Sequence, residues 1–112
     1  MKTNRLGKTG LQVSEIGFGG EWLERHPEVE SIELIRYASS KGINILDCWM
    51  ADPKSRDIIG KGIKDNRSQW FIQGHIGSTW KNEQYFRTRD MKYVRPAFED
   101  LLKRLQTDYL DL

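Results

Sequence analysis

Ile43-Asn44-Ile45-Leu46-Asp47, then Asp52-Pro53-Lys54-Ser55-Arg56-Asp57-Ile58-Ile59-Gly60-Lys61-Gly62-Ile63, then Trp70-Phe71-Ile72-Gln73 is the stretch whose reading decides the fold. The outer pieces are short apolar runs of strand length. The middle piece opens with Asp52, an acceptor side chain suited to a helix cap, and Pro53, which fits the first helical position because that N–H has no intrahelical partner. Ile58, Ile59 and Ile63 then recur at helical spacing. Strand, helix and strand in about thirty residues make a βα unit closed by a parallel neighbour, with a right-handed crossover.

The same alternation extends in both directions. Upstream, Ile16-Gly17-Phe18-Gly19-Gly20 reads as a first buried strand, and a helix over Pro27 to Lys41 carries Ile32, Ile35 and Ala38 at helical spacing before Gly42 stops it. Downstream, Gly74 to Arg89 reads as mostly loop, Asp90 as a cap, and Val94, Ala97, Phe98, Leu101, Leu102 and Leu105 as the stripe of a final helix with Pro96 in its first turns. A fourth strand is expected from Tyr109. Thr3 to Val13 forms a hairpin about Gly7-Lys8-Thr9-Gly10.

A hairpin, about three βα units and the start of a fourth strand point to an α/β fold, the N-terminal part of a (β/α)8 TIM barrel, rather than a doubly wound sheet. No Gly-x-Gly-x-x-Gly loop follows the first strand. On this reading residues 1–112 are an incomplete single domain, with 3–13 as its bottom hairpin and 14–112 as the first βα units. Four strands cannot close a barrel, so the isolated chain is expected to fold poorly or aggregate.

Composition excludes several function classes. Eighteen basic and sixteen acidic residues leave a formal charge of +2, dispersed along the chain, which gives no field for nucleic acid or a membrane surface. The segment from Lys81 to Arg95 interleaves aromatics with cations, but Glu83 and Asp90 dilute it, and a solvated loop with a helix start is the ordinary reading. One cysteine permits no internal disulfide, and the polar start (Met1, Lys2, Thr3, Asn4, Arg5) lacks the apolar run of a signal peptide, so a cytoplasmic setting is expected. Asp47, Asp52, His75 and Cys48 have metal-ligating atoms but no ligand spacing, so no metal site is expected. Cys48 reads as a small buried hydrophobe. Trp22, Trp49 and Trp80, at strand ends or in loops, are candidates to line an apolar pocket.

Four segments, RLGKTGLQVSEIGFGG, GINILDCWMADPKSRDIIGKGIK, QWFIQGHIG and AFEDLLKRLQTDYLDL, together resemble the aldo-keto reductase family. The resemblance implies hydride transfer between NADPH or NADH and an aldehyde or ketone, or the corresponding alcohol, by an Asp, Tyr, Lys and His set at the mouth of the barrel. A carbonyl that accepts hydride develops negative charge on oxygen, so a nearby acid must supply a proton.

Asp47 matches the family aspartate in its Gly-Ile-Asn context. Where the family has tyrosine this sequence has Asp52, which reads first as a helix cap; where the family has lysine it has His75. The family's histidine would lie a few residues beyond Leu112. If Asp47 and His75 meet, the carboxylate would favour an imidazolium able to act as the missing proton donor. Gly19, Gly20 and Glu21 are implied near the nicotinamide ribose. The rest of the cofactor grip belongs to later strands, so this stretch alone is expected to bind NADP or NAD weakly and to be inactive. The rival expectation is a non-catalytic barrel that lost its Tyr/Lys donor pair.

Overall fold

The computed structural model describes residues 1–48 and 52–112. Two short strands, β1 (Thr3–Arg5) and β2 (Gln12–Ser14), pair antiparallel, and Gly7 and Gly10 take the positive φ values of +52° and +82° that their turn requires. A parallel sheet follows, β3 (Phe18–Gly19), β4 (Ile45–Asp47) and β5 (Phe71–Gln73), in that order. Helix α1 (Glu28–Ser40) connects β3 to β4, and α2 (Pro53–Ile63) lies between β4 and β5. Helix α3 (Met91–Leu105) comes after β5. The fold is that of the opening βα units of a (β/α)8 barrel.

One face of the sheet carries the core. Leu46 and Ile72, at the centres of β4 and β5, are fully buried with Ile35 of α1, Ile58, Ile59 and Ile63 of α2, and Leu101 and Leu105 of α3. Period-two alternation turns Ile45, Asp47, Phe71 and Gln73 to the opposite face, where they are only partly buried. The expected stripe of α3 is fully buried only at Leu101 and Leu105, since Phe98 remains exposed and Val94 and Ala97 are only partly buried. On α1, Leu34 and Tyr37 also face outward.

Helices approach closely where glycine allows it. A Cβ on Gly60 of α2 would meet the backbone carbonyl of Arg104 in α3. The same crossing is tied by Arg104, whose Nε donates to Asp100 at 2.8 Å and whose Nη1 donates to Asp57 at 2.9 Å. The hairpin abuts the N-terminal end of the sheet through Asn44, which lies just before β4. The Ser14 amide donates to Asn44 Oδ1 at 2.7 Å, and the Asn44 amide donates to Ser14 Oγ at 3.1 Å.

Two sequence expectations change. The segment read as mostly loop contains an antiparallel pair, β6 (Ser78–Lys81) and β7 (Gln84–Arg87), packed on α3. Its turn is made by Asn82 and Glu83, both at positive φ, the geometry that suits a two-residue hairpin even without glycine. The expected fourth strand is present as an extended tail without a regular ladder. The Asp111 and Leu112 amides donate to the Ile72 carbonyl at 3.1 Å, and the Gly74 amide donates to the Leu112 carbonyl at 3.0 Å, which lays the tail beside β5. Among the described residues no helix is long and apolar enough to cross a membrane.

Candidate active site

Sheet register assembles the site. Gly19 of β3 pairs with Asp47 of β4, and Asp47 pairs with Gln73 of β5, so the three form one row at the C-terminal edge of the sheet, on the open face. Two residues past Gln73 the alternation brings His75 back to that face. Between them Gly74 turns toward the helices, where a Cβ would meet the Leu110 side chain. His75 Nε2 and Asp47 Oδ1 lie 2.6 Å apart, with side chains 27% and 40% exposed. An ionised carboxylate only accepts, so in a neutral ring Nε2 carries the proton that is donated to Asp47.

Neighbouring elements fix the row. The Gly20 amide donates to the Asp47 carbonyl at 2.8 Å, and the buried Ser55 hydroxyl of α2 donates to the Gly20 carbonyl at 2.5 Å. A Cβ at position 20 would lie 2.7 Å from both the Asp47 carbonyl oxygen and Ile59 Cδ1, so only glycine fits. At Gly19 a Cβ would meet nothing within 4 Å. Gly19 therefore leaves open space beside Asp47, whereas both backbone polar groups of Gly20 are spent inside the protein. Glu21 is exposed in the turn that follows.

Asp52 takes the cap position its sequence suggests. Its Oδ1 accepts from the Lys54 amide at 2.6 Å with Pro53 at the helix start. Cys48, next to Asp47, points the other way and is fully buried; burial pushes its thiol up to about 12, the opposite of what a nucleophile needs. Trp22 sits in the turn after β3 with φ +73°, and the Arg25 guanidinium lies 3.5 Å from its ring centroid. A left-handed tryptophan costs on the order of 1 kcal/mol, an expense typical of functional loops. Trp80 lies on β6, away from the row, and Trp49 falls outside the described residues.

Gln73 was not singled out from the sequence. Its signal was available, because in Phe71-Ile72-Gln73 the residue opposite in phase to the buried Ile72 must share a face with Asp47. Arg67 was also missed, although it holds β5 in place. It lies in a short 3₁₀ turn before that strand and donates to the carbonyls of Trp70 and Tyr109, to Thr107 Oγ1 and to Asp111 Oδ2, at 2.8 to 3.1 Å. Its guanidinium also stacks 4.0 Å from the Tyr109 ring centroid.

Comparison with known proteins gives this arrangement its family. The sequence profile of the Aldo/keto reductase family matches residues 15–112. The chain belongs to the aldo/keto reductase family. It is 36% identical to the aldo-keto reductase YhdN of Bacillus subtilis over 100% of this chain and 37% of that protein. Among solved structures, an aldo-keto reductase from Bacillus halodurans in its holo form superposes with a TM-score of 0.85 at 28% identity, covering 98% of this chain and 38% of that one. An aldo/keto reductase from Klebsiella pneumoniae in complex with NADP and acetate gives a TM-score of 0.72 at 25% identity, over 98% of this chain and 37% of the other. The chain thus spans a little over a third of the length of these relatives.

Proposed function

We propose that these residues contribute the first part of the active site of an NAD(P)H-dependent oxidoreductase acting on a small aldehyde or ketone, with His75 in the proton-donor role and Asp47 positioning it. The 2.6 Å contact between His75 Nε2 and Asp47 Oδ1, at the C-terminal ends of adjacent barrel strands, is the observation that carries this reading. Its setting is cytoplasmic and its partners are small molecules, without nucleic acid or membrane.

The residues fit a nicotinamide cofactor at one point. Gly19 keeps the row open beside Asp47, which leaves room for a flat group against the sheet edge. When bound, the cofactor supplies hydride. Asp47 orients the imidazole and offsets the charge of its protonated form, and a protonated His75 supplies the proton required as the carbonyl becomes an alkoxide. Asp52, spent on its cap, supports α2 and takes no part in proton transfer.

In a complete barrel carrying this chain, His75→Gln is expected to slow carbonyl reduction by about a hundredfold or more, followed as loss of NADPH absorbance. The variant should keep NADPH binding, read from nicotinamide fluorescence. A His75→Gln variant that reduces the carbonyl as fast as the wild type would dispose of the donor role. The second reading, a non-catalytic barrel, draws on the capping geometry of Asp52, which leaves no acid at the tyrosine's place; wild-type protein that gives no NADPH fluorescence change would favour it.

A further inference from the structure

Helix α2 reaches the row of Gly19, Asp47 and Gln73 through one side chain. Ser55 is fully buried, at the third helical position after the Asp52 cap. A polar side chain there commonly turns back to the cap of its own helix. The Ser55 hydroxyl instead donates at 2.5 Å to the carbonyl of Gly20, 35 residues earlier in the chain. Asp52 already serves the helix start by accepting from the Lys54 amide. A buried hydroxyl is costly unless it is bonded, so the bond to Gly20 also accounts for a serine on the face that buries Ile58 and Ile59.

Gly20 has no side chain with which to hold its own peptide units, and the turn after it carries Trp22 at positive φ. Its orientation therefore depends on the bonds at its two backbone groups. The amide donates to the Asp47 carbonyl at 2.8 Å, and the carbonyl accepts from Ser55. On the other side, the Cys48 amide donates to the Gln73 carbonyl at 2.8 Å. Asp47 is thus held by β5 on one flank and by Gly20 on the other, and the Gly20 flank is tied in turn to α2.

We propose that Ser55 is a positioning residue for the Asp47–His75 pair: it fixes the Gly20 peptide, whose amide fixes Asp47 opposite His75 Nε2. The proposal deepens the reading of that pair as the proton-handling centre and rests on it. The Ser55 hydroxyl bonds to backbone rather than to either side chain of the pair, so its loss should change turnover rather than substrate affinity.

The test uses a complete barrel carrying this chain, with NADPH and a carbonyl substrate. A displacement of about 1 Å at a reacting group costs about a hundredfold in rate, and the β5 flank limits the movement here. Ser55→Ala is therefore expected to lower kcat by about tenfold with KM changed by less than about twofold. Ser55→Thr, which keeps the hydroxyl, should recover kcat to within about threefold of the wild type. Ile63→Val, a core change at the far end of α2, should melt at a lower temperature but turn over like the wild type. Where His75→Gln slows the reaction and Ser55→Ala does not, or where Ile63→Val is slowed as much as Ser55→Ala, the proposal is overturned.

Resonances of the His75 ring nitrogens in the same proteins separate failure of this proposal from failure of the catalytic reading. Should His75→Gln cost no rate, the pair is not the proton donor, yet those resonances are still expected to move in Ser55→Ala and to return in Ser55→Thr. Ser55→Cys, whose thiol is a weak donor in the same place, repeats the measurement where alanine prevents folding, with the same expected shift. Resonances unmoved in whichever of the two variants folds would overturn the positioning role.

Discussion

Replacing Arg67 with alanine should loosen the tail from β5. Arg67 and Asp111 pair at 3.0 Å with side chains 13% and 15% exposed, so solvent screens them little. Arg67 also satisfies two backbone carbonyls and the Thr107 hydroxyl, and Asp111 Oδ2 accepts from the Ile72 amide at 2.9 Å. Removing the guanidinium leaves Asp111 largely buried without its counter-charge, a class of change that costs about 3–5 kcal/mol. By contrast, Arg36 and Asp65 meet at 3.4 Å with side chains 56% and 78% exposed, a pair contributing about 0–1 kcal/mol. Hydrogen exchange at the amides of Gly74, Asp111 and Leu112 reads the difference directly, because those three amides hold the tail to β5. A loss of about 3 kcal/mol corresponds to exchange faster by about two orders of magnitude in Arg67→Ala. Arg36→Ala should leave those amides unchanged. Equal exchange in the two variants would refute the claim that buried pairing, rather than strand propensity, seats the tail.

Gly60→Ala should lower thermal stability, since about 1 kcal/mol of helix propensity is outweighed by about 1–3 kcal/mol of overpacking against the α3 backbone, and a raised melting temperature would contradict it. Gly19→Ala should leave stability within about 0.5 kcal/mol in the same melt, because its Cβ meets nothing. Cys48, with its thiol raised to about 12, should resist a thiolate-selective reagent at pH 9 until the chain is unfolded; labelling at the rate of a free thiol in folded protein would refute this. Its raised value also means that the unfolded chain ionises first, so stability should fall as pH rises from about 9 toward 12, and not below that window.

The parts of the fold legible in the sequence are those set by local rules. Asp52-Pro53 and the isoleucine stripe announced α2, Gly42 marked the end of α1, and short apolar runs marked the strands. What escaped depended on partners distant in the chain. The β6–β7 pair has a turn of Asn82 and Glu83 whose positive φ values no glycine advertises. Arg67 reads as a surface cation until the chain folds back and brings Thr107, Tyr109 and Asp111 around it, some forty residues later. The outer half of the α3 stripe was expected to be buried because periodicity identifies an apolar face without saying what covers it. At the site, the sequence named Asp47 and His75 through resemblance and foresaw their contact as a possibility. Gln73 was legible from its phase opposite Ile72 but was not singled out, and the register puts it beside Asp47.

The most direct measurement is the tautomer of the His75 ring, by nitrogen-resolved NMR at a pH where the imidazole is neutral. The expected result is a proton on Nε2, donated to Asp47, with that preference lost in Asp47→Ala. A proton on Nδ1 in the wild type, or ring signals identical in the two proteins, would contradict the pairing from which the proposed chemistry follows.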